Sequence, residues 1–136
     1  MSSTEQTLSI IKPDAVERNL QEQIKKNFIE NGFEIKNEKK IQISKSEAEE
    51  FYKVHQSKPF YDDLCNYLSS GPIVVMILEK ENAVTENRKL MGATDPTKAE
   101  VGTLRKKYGI SIDKNSVHGS DSIENAKIEI DFFFKS

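Results

Sequence analysis

The sequence is poor in cysteine, tryptophan and histidine. Its 136 residues include one cysteine, no tryptophan and two histidines. A lone thiol forms neither an internal disulfide nor a cysteine-rich zinc site, so the fold must rest on an ordinary hydrophobic core. Free cysteine is usually a small buried hydrophobe, and we expect Cys65 to be one.

Long apolar segments and an excess of charge of either sign are also missing. The longest apolar run, IVVMIL from Ile73 to Leu78, is far shorter than the roughly 20 residues that span a bilayer. The first residues lack the basic and apolar regions of a secretory signal. We therefore expect no membrane partner and a cytoplasmic location. The formal net charge of −2 argues against a dedicated nucleic-acid partner, which would need a broad basic surface.

Length and composition predict a single domain over residues 1–136. One hydrophobic core usually serves about 100 to 200 residues. The chain is 36% hydrophobic and 31% charged, a balance typical of soluble globular proteins with enough apolar surface to bury a core.

The periodicity of apolar residues predicts strands alternating with helices. We expect Asp14 to cap a first helix that extends to about residue 30. Asp121 is expected to cap the last helix, since Glu124 follows it at capping-box spacing. The long segment between Ala93 and Ser116 has only a short helical piece, and such loops tend to be functional. The order of elements is close to the split βαβ arrangement of ferredoxin-like folds. Strands are predicted at 7–11, 33–43 (long or interrupted), 73–78 and 116–118. Further helices are predicted to start at Ser44 or Ser46 and to span 59–68, 82–91 and 103–107.

Phosphate binding in this chain would have to rely on side chains. The sequence has no glycine-rich phosphate loop of either standard spacing. Lys12, Arg88 and Arg105 each lie where a regular element meets a loop, and guanidinium groups bind phosphate oxygens through paired hydrogen bonds. These three residues are candidates for a phosphate clamp, although most lysines and arginines are solvated surface charges.

His118, in the stretch NSVHGSDS, admits more than one interpretation. No second histidine or cysteine lies at metal-site spacing, so a metal ligand is poorly supported. A packed structural ring is the ordinary role of an isolated histidine. Gly119 permits close backbone approach, and Glu129 in the following helix is placed to orient the ring and leave its other nitrogen free to attack. A phosphate acceptor is therefore plausible, but spacing alone does not decide it.

Six segments, in order along the chain, resemble the nucleoside diphosphate kinase family. The resemblance is collinear from Thr7 to Phe134, and the short C-terminus and the GATDP stretch are most similar to bacterial members. Val101 departs from the family pattern, because many members have proline there. The segments are SIIKPDAVERN, FYKVHQSKPF, SGPIVVMILE, NRKLMGATDP, GTLR and NSVHGSDS.

The resemblance implies a fold and an activity. The fold is α/β (α+β), a ferredoxin-like βαββαβ sandwich with an antiparallel four-stranded sheet covered by helices. The activity is transfer of the γ-phosphate of a nucleoside triphosphate, usually ATP, to nucleoside diphosphates. It follows a ping-pong mechanism through a phosphohistidine and maintains the NTP and dNTP pools. The alternative is a catalytically silent nucleotide-binding regulatory or interaction protein, which would be expected to lack at least one catalytic residue.

The resemblance also implies roles for individual residues. His118 is the implied nucleophile, and Ser120 and Glu129 match the residues that orient it. Lys12 and Tyr52 complete the implied catalytic set, with Tyr52 lining the pocket. Stacking on an aromatic ring tolerates any base, because every base has a π-face. The implied nucleotide-binding residues are Lys12, Phe60, Leu64, Arg88, Thr94, Arg105, Ile112 and Asn115.

The implied cofactor is Mg²⁺, held through the nucleotide phosphates without a direct protein ligand. The implied partners are ATP, nucleoside diphosphates and further copies of the chain in a homo-oligomer, a tetramer or a hexamer. Outside the site, we expect His55 to be structural. The run from Phe132 to Phe134 is expected to pack the end of the last helix or a subunit contact.

Overall fold

A four-stranded antiparallel sheet organises the molecule, in the strand order β2-β3-β1-β4. The computed structural model describes residues 4–111 and 114–134. The two long central strands, β1 and β3, are antiparallel neighbours, and the connections between strands pass through helices. The ferredoxin-like arrangement is therefore confirmed. The strands are β1 (Thr4–Ile11), β2 (Glu34–Ile41), β3 (Ile73–Glu81) and β4 (Val117–Gly119).

Helices cover both faces of the sheet and close two apolar clusters. One face carries α1 (Pro13–Glu17), α2 (Gln21–Glu30) and α5 (Ala83–Met91), and the other carries α3 (Lys45–Phe51), α4 (Tyr61–Leu68) and α7 (Ile123–Phe134). The long loop contains α6 (Leu104–Tyr108), and two short 3₁₀ helices span Lys53–His55 and Pro96–Lys98. Within the described part of the chain, no helix is long and apolar enough to cross a membrane.

The apolar strand β3 contributes to both clusters because successive side chains of a strand point to opposite faces. Val74 and Met76 pack on the α1, α2 and α5 side, whereas Ile73 and Val75 pack on the side of α3, α4 and α7. The prediction of a strand buried on both faces is confirmed. Cys65 is buried in the second cluster, also as expected.

The prediction of one helix from Asp14 to about residue 30 is wrong. The chain forms two helices, α1 and α2, separated by Asn19 at a φ of +60°. Asparagine tolerates this left-handed conformation better than most residues. The N–H of Leu20 donates to the carbonyl of Ala15 at 2.9 Å and closes the end of α1. The apolar spacing continued across this break, which is why periodicity did not reveal it.

Asp14 does not cap α1, contrary to expectation. The residue at the cap position is Lys12, which makes no side-chain cap bond, and Pro13 occupies the first turn of the helix. Proline needs no hydrogen-bond acceptor there, since it has no N–H. The Asp14 carboxylate instead binds side chains from other elements.

Asp121 does not form the predicted capping box of α7. The hydroxyl of Ser122 accepts from the N–H of Asn125 at 3.1 Å, whereas the Asp121 carboxylate accepts from the Asn125 side chain at 2.6 Å. Ser122 is therefore the capping residue. At α3 the expected start is confirmed, since Ser44 and Glu47 form a complete capping box.

Candidate active site

His118 lies on β4, the short edge strand, and its ring is held from the neighbouring helix α7. The Nε2 atom of His118 is 3.0 Å from Oε1 of Glu129, and the two side chains are 20% and 17% exposed. The same carboxylate oxygen accepts from the hydroxyl of Ser120 at 2.8 Å. Ser120 itself is fixed to β1 through reciprocal bonds with the backbone of Leu8. The sequence-predicted trio is therefore one hydrogen-bonded group.

The contact with Glu129 assigns the proton on the His118 ring. A carboxylate only accepts hydrogen bonds, so Nε2 is the protonated nitrogen in this pair. Nδ1 then carries the lone pair of the neutral ring. A histidine with one nitrogen held by a carboxylate and a lone pair on the other can act as a nucleophile.

Two aromatic side chains at the end of α3 form a wall beside the His118 ring. Phe51 meets it edge-on with ring centroids 5.4 Å apart, and Tyr52 does so at 6.4 Å. Tyr52 is buried, and burial raises the pKa of its hydroxyl, with a further contribution from the charge of Glu129. The Tyr52 hydroxyl therefore stays neutral at physiological pH.

A cleft of about 410 Å³ brings together three of the predicted nucleotide contacts, Arg88, Thr94 and Arg105. Arg88 comes from α5, Thr94 from the loop that follows it, and Arg105 from α6. Asp121, just after β4, also lines the cleft. A larger groove of about 620 Å³ lies between β1 and α7, but its lining includes none of the predicted site residues.

Arg105 is anchored at the floor of this cleft. Its Nη1 and Nη2 atoms donate to the carbonyls of Gly92 and Val117, each at 3.0 Å. Burial lowers the pKa of Arg105 from its usual value to about 10, and the nearby charge of Arg88 acts in the same direction. Because burial removes part of the water around this cation, an anion bound in the cleft would stabilise its charge.

Lys12 and Asn115 form a second buried pair, which is linked to the cleft. The Nζ of Lys12 donates to Oδ1 of Asn115 at 2.9 Å, and Nδ2 of Asn115 donates to the carbonyl of Thr94 at 3.2 Å. Both polar atoms of the Asn115 side chain, Oδ1 and Nδ2, are therefore hydrogen-bonded. This chain connects the residue after β1 to the loop that lines the cleft.

Phe60, the predicted base-stacking ring, is 46% exposed at the start of α4. The His55 ring lies between it and Tyr52, with centroid distances of 6.3 and 6.2 Å. Burial and then the charge of Lys58 lower the pKa of His55, which agrees with a structural, neutral ring. Leu64 is half-buried and packs against the second apolar cluster. Ile112 lies outside the described residues.

Two neighbours of the site were not predicted as part of it. Phe51 contacts the ring of His118, and Asp121 is the carboxylate of the cleft. Phe51 precedes Tyr52 directly, but adjacency on a helix does not predict that both residues face one ring. Asp121 was interpreted as a helix cap because it lies just before a helix.

Gly119 allows β4 to approach α5 closely. A Cβ atom at this position would lie 2.4 Å from Nδ2 of Asn87 and 2.7 Å from Cε of Met91. Asn87 is fully buried, so its amide has little room to move. The glycine therefore sets the distance between the strand of His118 and the helix of Arg88.

Gly119→Ala is expected to lower the free energy of unfolding by about 1–3 kcal/mol, because overpacking forces shifts in buried neighbours. It should also reduce activity, since β4 must move away from α5. Urea denaturation and an activity assay measure the two effects. Gly71→Ala is the matched control, because a Cβ there would lie 3.6 Å from the nearest side chain. Equal stability of the two variants would contradict the packing argument.

The antiparallel α/β fold, the arginine-lined cleft and the carboxylate-bound histidine on β4 together indicate the class, a phosphotransferase. The chain belongs to the nucleoside diphosphate kinase family, whose sequence profile matches residues 5–136. Its activity is phosphate transfer between nucleoside triphosphates and nucleoside diphosphates. The alternative of a catalytically silent regulator finds no support in the relatives.

Curated relatives and solved structures carry the same family name. The nucleoside diphosphate kinase of Wolinella succinogenes is 58% identical over 130 residues, covering 96% of this chain and 95% of the relative. That of Persephonella marina is 54% identical over 132 residues, covering 97% and 94%. The Aquifex aeolicus nucleoside diphosphate kinase has a TM-score of 0.96 at 39% identity, covering 98% of this chain and 97% of the other. The Encephalitozoon cuniculi enzyme has a TM-score of 0.93 at 37% identity, covering 97% and 90%.

Proposed function

We propose that the chain transfers the γ-phosphate in two half-reactions through a phosphohistidine at His118. In the first, Nδ1 of His118 forms a bond to the γ-phosphorus of the triphosphate. The bond from that phosphorus to the bridging oxygen breaks, and the nucleoside diphosphate leaves with the electron pair. In the second, a terminal oxygen of the acceptor diphosphate attacks the phosphorus and releases the histidine. The observation that carries the proposal is the 3.0 Å contact between Nε2 of His118 and Glu129.

Charge in the cleft is the proposed source of most of the rate enhancement. Phosphoryl transfer passes through a loose, charge-rich transition state that needs positioning and electrostatic stabilisation more than covalent help. Arg88 and Arg105 line the cleft, and Arg105 is already fixed by two carbonyl groups. Lys12 is the third proposed cation, and Thr94 the proposed hydroxyl contact. Ser120 and Glu129 are proposed to orient the His118 ring.

The nucleoside is proposed to bind along the aromatic residues that precede α4. Phe60 would stack on the base and accept any base, since each presents a π-face. Its exposure, 46%, leaves the ring open to a ligand. Leu64 and Ile112 are proposed to flank the base, Asn115 to contact the sugar and phosphate region, and Tyr52 to line the catalytic pocket. The donor is proposed to be ATP.

Mg²⁺ is proposed to enter with the nucleotide, as part of the substrate, and would be held through the nucleotide phosphates. Over residues 4–111 and 114–134, no group of three His, Cys, Asp or Glu side chains is arranged to hold a metal ion. Among the described residues that line the cleft, Asp121 is the single carboxylate, and it is the side chain that would face the ion. When bound, the ion would neutralise charge on the phosphates.

We also propose a homo-oligomer, a tetramer or a hexamer, in the cytoplasm. Several large apolar side chains are exposed, and such residues often mark subunit contacts. Val101 is 91% exposed, Ile29 61% and Ile110 57%. Light scattering on the purified protein would measure the number of copies.

The free thiol of Cys65 agrees with a reducing compartment, which cell fractionation would test.

The test of the mechanism is a phosphoenzyme experiment. Incubation with γ-labelled ATP and Mg²⁺, without an acceptor, should give an acid-labile and alkali-stable label on the chain. Addition of unlabelled GDP should transfer that label to GTP within one turnover. Peptide mapping should place the label on the segment that contains His118. GTP formation without any labelled enzyme would instead indicate direct transfer between two bound nucleotides and overturn the two-step proposal.

A further inference from the structure

Asp14 is a buried carboxylate outside the predicted site, with 3% of its side chain exposed. Its Oδ1 accepts from the hydroxyl of Tyr67, and the Tyr67 oxygen in turn accepts from the Asp14 N–H at 2.8 Å. Its Oδ2 accepts from Oγ of Ser116 at 2.9 Å and from Nη2 of Arg18 at 3.1 Å. The carboxylate therefore joins α1, α4 and the end of the long loop.

The loop residue in this network has a strained backbone. Ser116 is fully buried and has a φ of +76°, in the left-handed region that non-glycine residues rarely adopt. Such a conformation persists where the surrounding structure holds it. Arg18 adds a second bond to the Ser116 hydroxyl at 3.2 Å, and it also donates to the carbonyl of Tyr108. The hydroxyl of Ser116 is thus held by two residues, Asp14 and Arg18.

Two residues that lie close in sequence to this network, Lys12 and Asn115, are proposed nucleotide contacts. Asn115 directly precedes Ser116, and Lys12 lies two residues before Asp14. The carbonyl of Ser116 accepts from the backbone N–H of Lys12 at 2.8 Å, and the two side chains of Lys12 and Asn115 are bonded at 2.9 Å. A change of backbone conformation at Ser116 would therefore displace both groups.

We propose that Asp14, with Tyr67, is a positioning residue for phosphotransfer: it holds Ser116 in the left-handed conformation and thereby keeps Lys12 and Asn115 directed at the nucleotide. The inference rests on the proposed function, because the roles of Lys12 and Asn115 belong to it. Asp14 acts through the backbone and not on the reacting atoms. Burial, and next the bond to Asp14, raise the pKa of Tyr67, so its hydroxyl remains a donor at physiological pH.

The first test compares two tyrosines of α4. Tyr67→Phe removes the hydroxyl that binds Asp14, whereas Tyr61→Phe removes a hydroxyl that donates to the carbonyl of Glu49 at 2.8 Å. Tyr61→Phe loses this one bond, whereas Tyr67→Phe loses both bonds to Asp14 and should lose more thermal stability. Tyr67→Phe should raise KM for ADP about tenfold, with a smaller change in kcat, because positioning is impaired while His118 is intact. Tyr61→Phe should leave KM within twofold of wild type.

The second test uses glycine at position 116, because glycine adopts positive φ at no steric cost. In the Ser116→Gly background the backbone no longer depends on the Asp14 anchor. Tyr67→Phe should then raise KM less than twofold, a coupling that a double-mutant cycle measures. An undiminished tenfold effect in this background would overturn the proposal. If Tyr67→Phe does not fold, Ser116→Ala removes the hydroxyl that bonds Asp14 and Arg18 and should raise KM about threefold; an unchanged KM would overturn the proposal.

The outcomes separate this inference from the proposed function. Absence of labelled wild-type enzyme after incubation with ATP overturns the phosphohistidine mechanism. A labelled wild-type enzyme, together with equal KM values for Tyr67→Phe and Tyr61→Phe, overturns only the positioning role. The expected result is a labelled enzyme, a raised KM for Tyr67→Phe alone, and its recovery in the Ser116→Gly background.

Discussion

Replacement of His118 by alanine is expected to abolish the phosphoenzyme and to lower kcat/KM by at least about 10⁴-fold, the order of loss that follows removal of a covalent nucleophile. In the proposed mechanism, the ring whose Nε2 lies 3.0 Å from Glu129 supplies the attacking Nδ1. Ser120 donates to the same carboxylate, but it is fully buried and bonded to the backbone of Leu8, so its hydroxyl is not free to take the place of the ring. A coupled kinase assay and acid-labile labelling with γ-labelled ATP measure the two effects.

The second histidine of the chain provides the matched control. His55→Ala also removes a half-buried imidazole, but one whose ring lies between Tyr52 and Phe60. This variant should still form the phosphoenzyme, even where it loses stability. A label on His118→Ala equal to that on wild type would assign the nucleophile to another residue. Loss of the label in both variants would indicate a general effect on folding, which near-ultraviolet circular dichroism would detect.

Arg105→Met is expected to lower kcat/KM by about 10²- to 10³-fold, the usual effect of removing one preorganised charge-stabilising donor. The substitution removes the cation at the floor of the cleft and leaves the carbonyls of Gly92 and Val117 without their donor. Bonds from charged donors contribute about 1.5–3 kcal/mol each, so the loss of these two bonds is expected to lower the free energy of unfolding by about 3–6 kcal/mol. Steady-state kinetics and urea denaturation measure these two losses separately.

Lys106→Met is the control for the effect of removing any one positive charge from α6. Lys106 follows Arg105 on α6, is exposed, and is not among the residues that line the cleft. Its replacement should change kcat/KM less than threefold at physiological salt, because exposed charges are screened. Equal losses in the two variants would mean that the net charge of α6, and not the fixed guanidinium, supports catalysis.

The sequence predicted the helices and strands that depend on residues close to one another along the chain. The apolar run of β3, the start of α3 near Ser44 and the end of α5 at Gly92 each depend on residues within one or two turns of the chain. The break at Asn19 was missed, because the apolar spacing of α1 continues into α2 while the change of direction depends on one φ angle. Ser122 displaced Asp121 as the cap of α7 because two adjacent residues both offered an oxygen acceptor.

The sequence by itself determined the family, the order of the elements and the candidate nucleophile with its partners Ser120 and Glu129. The order of the elements follows from apolar periodicity, whereas the nucleophile and its partners follow from the resemblance of six segments to the family, because spacing alone left the role of His118 open. Only the tertiary structure decided which residues surround them. Phe51 reaches the His118 ring, and Asp14 pairs with Tyr67 across 53 positions of sequence instead of capping a helix. Contacts of that range depend on how sheet and helices pack, and no local pattern encodes that packing.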